Sequence, residues 1–130
     1  MTVAVDTNVL VRYLTWDDEK QAAAAAAAIE TDEPVAVSTI ALCELAWVLG
    51  RAYRYTAAQI AEAIVRIVTS RNVIADRAAA EAGLTMLRLG GDFADGIVQC
   101  EAARARCRHL ITFDRGFARL LDPDRVVLLG

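Results

Sequence analysis

Histidine occurs once in this chain, at position 109. A histidine-based nucleophile triad or a zinc centre of clustered imidazoles therefore has almost nothing to draw on. Cysteine is scarce too: Cys43, Cys100 and Cys107 are odd in number and form no Cys-x-x-Cys pair, which excludes a disulfide framework and a zinc knuckle. They are expected to be reduced thiols packed in the core, with Cys100 and Cys107 on one helical face. No apolar run approaches the roughly 18 to 20 residues needed to span a bilayer, and the N-terminus has no basic leader. The expectation is a soluble, cytoplasmic protein without membrane association. Basic residues are not in excess: the formal net charge of −3 gives no broad electrostatic grip on nucleic acid. All but Lys20 of the 14 basic residues are nevertheless arginine, the side chain suited to bidentate phosphate contacts.

What the chain does have is apolar residues, 56% of 130, enough for one core. A single domain over 1–130 is expected. Residues 2–5 form a β-branched run ending at Asp6, followed by helix-spaced apolar residues over 8–14. An alanine-rich stretch over 17–30 has the highest helix propensity available. Pro34 breaks the chain before a short strand at 35–37, and Ser38 or Thr39 then caps a helix to about residue 53. Thr56 opens another helix with Ile60, Ile64, Ile67 and Val68 on one face. After a brief apolar run at 73–75, helices are predicted over 76–89 and 92–106, separated by Gly90-Gly91. Strands at 109–112 and 126–129 flank a short helix near 115–121. Strands alternating with helices predict an α/β fold: a central, mostly parallel sheet with helices on both faces.

Four acids stand out. Asp6 is the only charged residue between Met1 and Val11, and it sits where a strand ends. Glu44 is the only charge from Val35 through Gly50, in a helix so apolar that an unpaired carboxylate would be costly to desolvate. Asp95 lies one turn into the helix that Asp92 begins, and Asp114 follows the strand at 109–112. In open parallel sheets ligands bind beyond the carboxyl ends of strands, where Asp6 and Asp114 fall. Were the four to converge, each close pair would repel by roughly 4 kcal/mol at about 4 Å and an effective dielectric near 20. A bound cation would offset that, and an all-oxygen set points to Mg²⁺ or Mn²⁺. Such an ion activates water and stabilises developing charge in phosphodiester hydrolysis. Spacing in sequence does not itself show convergence.

The motifs around these acids resemble the PIN domains, and within them the VapC-type toxins of prokaryotic toxin–antitoxin pairs. Val5-Asp6-Thr7-Asn8-Val9-Leu10 is similar to the family's opening strand motif, in which the acid binds metal and Thr7 and Asn8 support the site. The segment from Ser38 to Glu44-Leu45 is similar to the one that supplies a second acid from a helix. Gly91-Asp92-Phe93-Ala94-Asp95 resembles the third motif, with Asp95 the ligand. Leu110-Ile111-Thr112-Phe113-Asp114-Arg115 resembles the closing motif, with Asp114 the fourth acid and Thr112 assisting. The resemblance covers essentially the whole chain. It implies a Mg²⁺- or Mn²⁺-dependent endoribonuclease with catalytic and metal-binding residues Asp6, Glu44, Asp95 and Asp114. It further implies a homodimer, and inhibition by a cognate antitoxin whose C-terminal segment obstructs the site.

Plainer readings exist for several residues. Asp6 is placed to cap a helix, and Asp114 reads as a simple turn residue. Asp92 and Asp95 lie in a helix's first turn, where acids suit the dipole and cap free amides, with capping the preferred role for Asp92. Arg104, Arg106 and Arg108 read as a solvated helix end rather than an RNA grip. Trp47 fits the core or a dimer face better than a base-stacking platform. Two other functions compete with the nuclease. One is a non-catalytic binding module on the same fold. The other is a Mg²⁺-dependent phosphatase-like enzyme, whose haloacid-dehalogenase signature would place an Asp where this chain has Asn8.

Overall fold

The computed structural model describes residues 2–130 and divides into two compact units, Met1–Arg77 and Ala78–Gly130. In the first, the β-branched run becomes β1 (Val3–Val5), followed by α1 (Thr7–Thr15) and the alanine-rich α2 (Glu19–Ile29). Then come β2 (Val35–Val37), α3 (Thr39–Arg51), α4 (Ala57–Val68) and β3 (Val73–Ile74). The strands form a parallel sheet in the order β1-β2-β3, with Val3 opposite Val35 and Val35 opposite Val73. Central β2 buries Val35 and Val37. Alanines carry the contact of α2 with α1: Ala22 and Ala25 are buried, and their small side chains let the helices approach closely.

Side chains fix the helix starts. Ser38 Oγ accepts the Ala41 amide, and Thr56 with Gln59 closes a reciprocal capping box on α4. The expected apolar face of α4, made of Ile60, Ile64, Ile67 and Val68, is buried. At the far end of α1, Arg12 donates to Asp17 and Gln21, while the Tyr53 hydroxyl donates to Asp17, so three segments share one polar knot.

The second unit holds α5 (Arg77–Arg88, from its second residue on), α6 (Phe93–Arg104), β4 (Leu110–Thr112), α7 (Arg115–Arg119) and β5 (Val126–Leu128). Strands β4 and β5 are parallel, with Leu110 opposite Val126. Met86, Phe117 and Leu121 form a small core, with Leu110, Leu120 and Val126 packed against it. The main chains of α5 and α6 touch: a Cβ on Gly96 would lie 2.3 Å from the Ala82 carbonyl oxygen, and one on Gly83 would lie 2.5 Å from the Phe93 ring. The α/β class and parallel pairing are as expected, while the ladders group the strands as a set of three and a set of two.

Three expectations about burial are corrected. Helix α3 buries Ala41, Leu42, Leu45, Ala46 and Leu49 against α1 and α4 but presents Ile40, Glu44, Trp47 and Arg51 to solvent. Trp47 is 63% exposed and is therefore no core residue; the Arg51 guanidinium lies 5.4 Å from its ring centroid. Cys107 is exposed beyond the end of α6, and Cys43 and Cys100 are only half-buried, so none is a core thiol. Among the described residues no helix is long and apolar enough to cross a membrane.

Candidate metal centre

Asp6 follows β1 directly and is the N-cap of α1: its Oδ1 accepts the Val9 amide at 3.3 Å. That bond engages one carboxylate oxygen and fixes the orientation of the group. The neighbouring Thr7 hydroxyl donates to Glu44 Oε1 at 3.1 Å, tying α1 to α3 across 37 residues of sequence. Asp6, Thr7 and Glu44 line one surface depression of about 290 Å³, with Ile40 beside them. Glu44 is exposed, so the expected desolvation cost does not apply to it. The cause is the direction α3 faces: an apolar helix still has an outer side, and Glu44 lies there one turn from Ile40. Asn8 is exposed on the first turn of α1, beside this pair in sequence.

The second unit repeats the strand-to-helix device. Thr112 Oγ1 accepts the Asp114 amide at 3.0 Å, and Asp114 Oδ1 accepts the Phe117 amide at 3.0 Å as N-cap of α7. Thr112 therefore shapes the turn that presents Asp114. Asp95 sits in the first turn of α6, half-buried. Its carboxyl is pushed above the ordinary range, first by burial and then by the negative charges of Asp92 and Asp114. Asp92 occupies the N-cap position, but its side chain makes no capping hydrogen bond. The preferred capping role is thus corrected: Asp92 acts on Asp95 through charge. Its acidic type, three residues before Asp95, was the only signal in the sequence for that effect.

The sequence-derived acids are thereby placed as Asp6 with Glu44 and as Asp95 with Asp114. Among the described residues, neither unit gathers three or more His, Cys, Asp or Glu side chains into a metal-binding group. A family model for the PIN domain matches residues 3–121, a span that contains all four acidic motifs. The chain belongs to the PIN domain family. PIN domains are typically nucleases, which makes a hydrolase the general class for this one. No curated protein matches the chain.

PIN-domain nucleases usually use Mg²⁺ or Mn²⁺, and the residues present fit such an ion by donor type. Every candidate donor in this PIN domain is a carboxylate or hydroxyl oxygen, the set hard divalent cations prefer. Asp95 adds an electrostatic argument: its negative form is disfavoured by burial and two like charges, a condition that a divalent cation relieves.

Proposed function

We propose that this PIN domain is a Mg²⁺- or Mn²⁺-dependent endoribonuclease, with Asp6, Glu44, Asp95 and Asp114 as the acids that hold the ion. The observation that carries the reading is the grouping of Asp6 with Glu44 in one depression, where the Thr7 hydroxyl donates to Glu44, within a chain that matches the PIN family over residues 3–121. When bound, the ion supplies activation of water and charge stabilisation at the scissile phosphate. The chain's own contribution is orientation. Asp6 and Asp114 are each locked by a cap to a main-chain amide, and Thr7 holds Glu44. Pre-set oxygens need less reorganisation as charge develops on the phosphate.

The motif resemblance supports a finer role as the toxin of a type II toxin–antitoxin system, acting in the cytoplasm and restrained by a cognate antitoxin. It also supports a homodimer, for which exposed Ile40 and Trp47 on α3 offer apolar contact surface to a second copy. Light scattering at micromolar concentration tests that part, and a monomer would remove it.

The test of the central reading is cleavage of RNA by purified protein with and without Mg²⁺ or Mn²⁺. Wild type cuts only with metal, and Asp6→Asn and Asp95→Asn each abolish cutting while keeping the fold. Undiminished cleavage by either variant would overturn the site. Metal-independent retention of RNA without cleavage would instead support a binding module.

A further inference from the structure

The second unit contains a cavity of about 330 Å³, lined in part by Arg108, His109, Leu110, Leu121 and Arg125. Sequence places Arg108 and Arg125 far apart; strand pairing brings them together. Strands β4 and β5 run parallel with Leu110 opposite Val126, so the residues preceding each strand, Arg108-His109 and Arg125, lie at the same end of the ladder. Adjacent strands lie about 4.8 Å apart, close enough for one small anion to meet side chains from both. Asp114 lies beyond the opposite end of β4, past the turn that Thr112 closes, and is not part of the cavity lining. The cavity is thus separate from the acid that α7 presents.

Its lining suits one kind of chemistry. Two arginines carry permanent charge and offer planar pairs of donors that match phosphate oxygens. Among the described residues neither is held in an ion pair. The acid in the cavity wall, Asp122, has one oxygen engaged by its own loop, where Oδ1 accepts the Asp124 amide at 2.9 Å. Leu110 and Leu121 add apolar wall, and a volume near the lower end of small-molecule pockets accommodates more than a bare ion. We propose that this cavity binds a nucleotide phosphate, with Arg108 and Arg125 on the phosphate and the apolar wall against the sugar or base. The phosphate belongs either to an RNA strand or to a free mononucleotide. The RNA source rests on the nuclease reading; the phosphate site itself does not.

His109 is the only histidine, so its ring proton signals report on this cavity alone in a proton NMR spectrum. Adenosine monophosphate and a single-stranded ten-nucleotide RNA are titrated separately in EDTA, where metal-dependent cleavage plays no part. The expected result is a saturable His109 shift that is weakened at least tenfold in Arg108→Gln/Arg125→Gln, a pair of exposed changes checked for fold by circular dichroism. Saturation at lower concentration by the RNA identifies a strand contact, and saturation by the mononucleotide alone identifies a free nucleotide. Absence of a saturable shift with both probes, or equal affinity in the double variant, overturns the proposal. A protein that fails to cleave RNA with Mg²⁺ yet shows the shift leaves this site intact and removes only the nuclease reading.

Discussion

Gly96→Ala is a small change at a point where two helices have no room. The added methyl would lie 2.3 Å from the Ala82 carbonyl oxygen and 2.7 Å from the Gly83 Cα. Carbon–oxygen contacts of this kind settle at about 3.3 Å or more. Because both neighbours are main-chain atoms, α6 must retreat from α5 by about 1 Å. Overpacking of this type costs about 1 to 3 kcal/mol. The gain in helix propensity on replacing Gly by Ala is only about 1 kcal/mol. A net loss of up to about 2 kcal/mol follows, opposite in sign to what propensity alone predicts. Asp95 is the preceding residue, so the same retreat displaces its carboxylate. A displacement of about 1 Å near reacting groups costs on the order of 100-fold in rate. Urea unfolding followed by tryptophan fluorescence reads the first effect, and single-turnover RNA cleavage with Mg²⁺ reads the second. A variant as stable as wild type, or more stable, with full cleavage would refute the reasoning.

Two other perturbations separate orientation from stability. Thr7→Val removes the hydroxyl that holds Glu44; since an exposed hydrogen bond contributes at most about 1 kcal/mol, the urea midpoint should fall by no more than about 1 M while kcat falls about tenfold. Unchanged steady-state kinetics would deny Thr7 a positioning role. Asp17 has its pKa lowered below the ordinary aspartate value of 3.8, chiefly by the hydrogen bond from Tyr53, with the Arg12 charge assisting. Its contribution to stability is therefore present above that value and lost as pH falls through the lower folded-state value. Unfolding midpoints measured from pH 6 down to pH 2 should show this loss in wild type and a flatter curve in Asp17→Asn, and parallel curves would contradict it.

Local chemistry accounts for what could be read from the sequence. Asp6, Ser38 and Thr56 each accept the amide three residues on, so their type and position announce the helix starts, whereas the same role of Asp114 emerges only from the structure. The α4 stripe was legible because its apolar spacing leaves one choice of buried face. In α3 apolar residues ring nearly the whole helix, and packing on α1 and α4 decides the outer face; exposed Glu44 and Trp47 follow from that choice. Gly83 and Gly96 lie in helix interiors, and only the structure shows that the two main chains meet there. That Arg108 and Arg125 line one cavity depends on the pairing of β4 with β5, which no short window of sequence contains. The four acids were found by their isolation and motifs, whereas the influence of Asp92 on Asp95 needed coordinates.

The most direct test is Mn²⁺ affinity, followed by electron paramagnetic resonance of the free ion, in wild type, Asp6→Asn, Asp95→Asn and the double variant. If Asp6 and Asp95 are both metal ligands, each single change weakens binding at least tenfold, and the double variant loses binding altogether. Wild-type affinity in either single variant would contradict the ligand roles of Asp6 and Asp95 on which the nuclease reading stands.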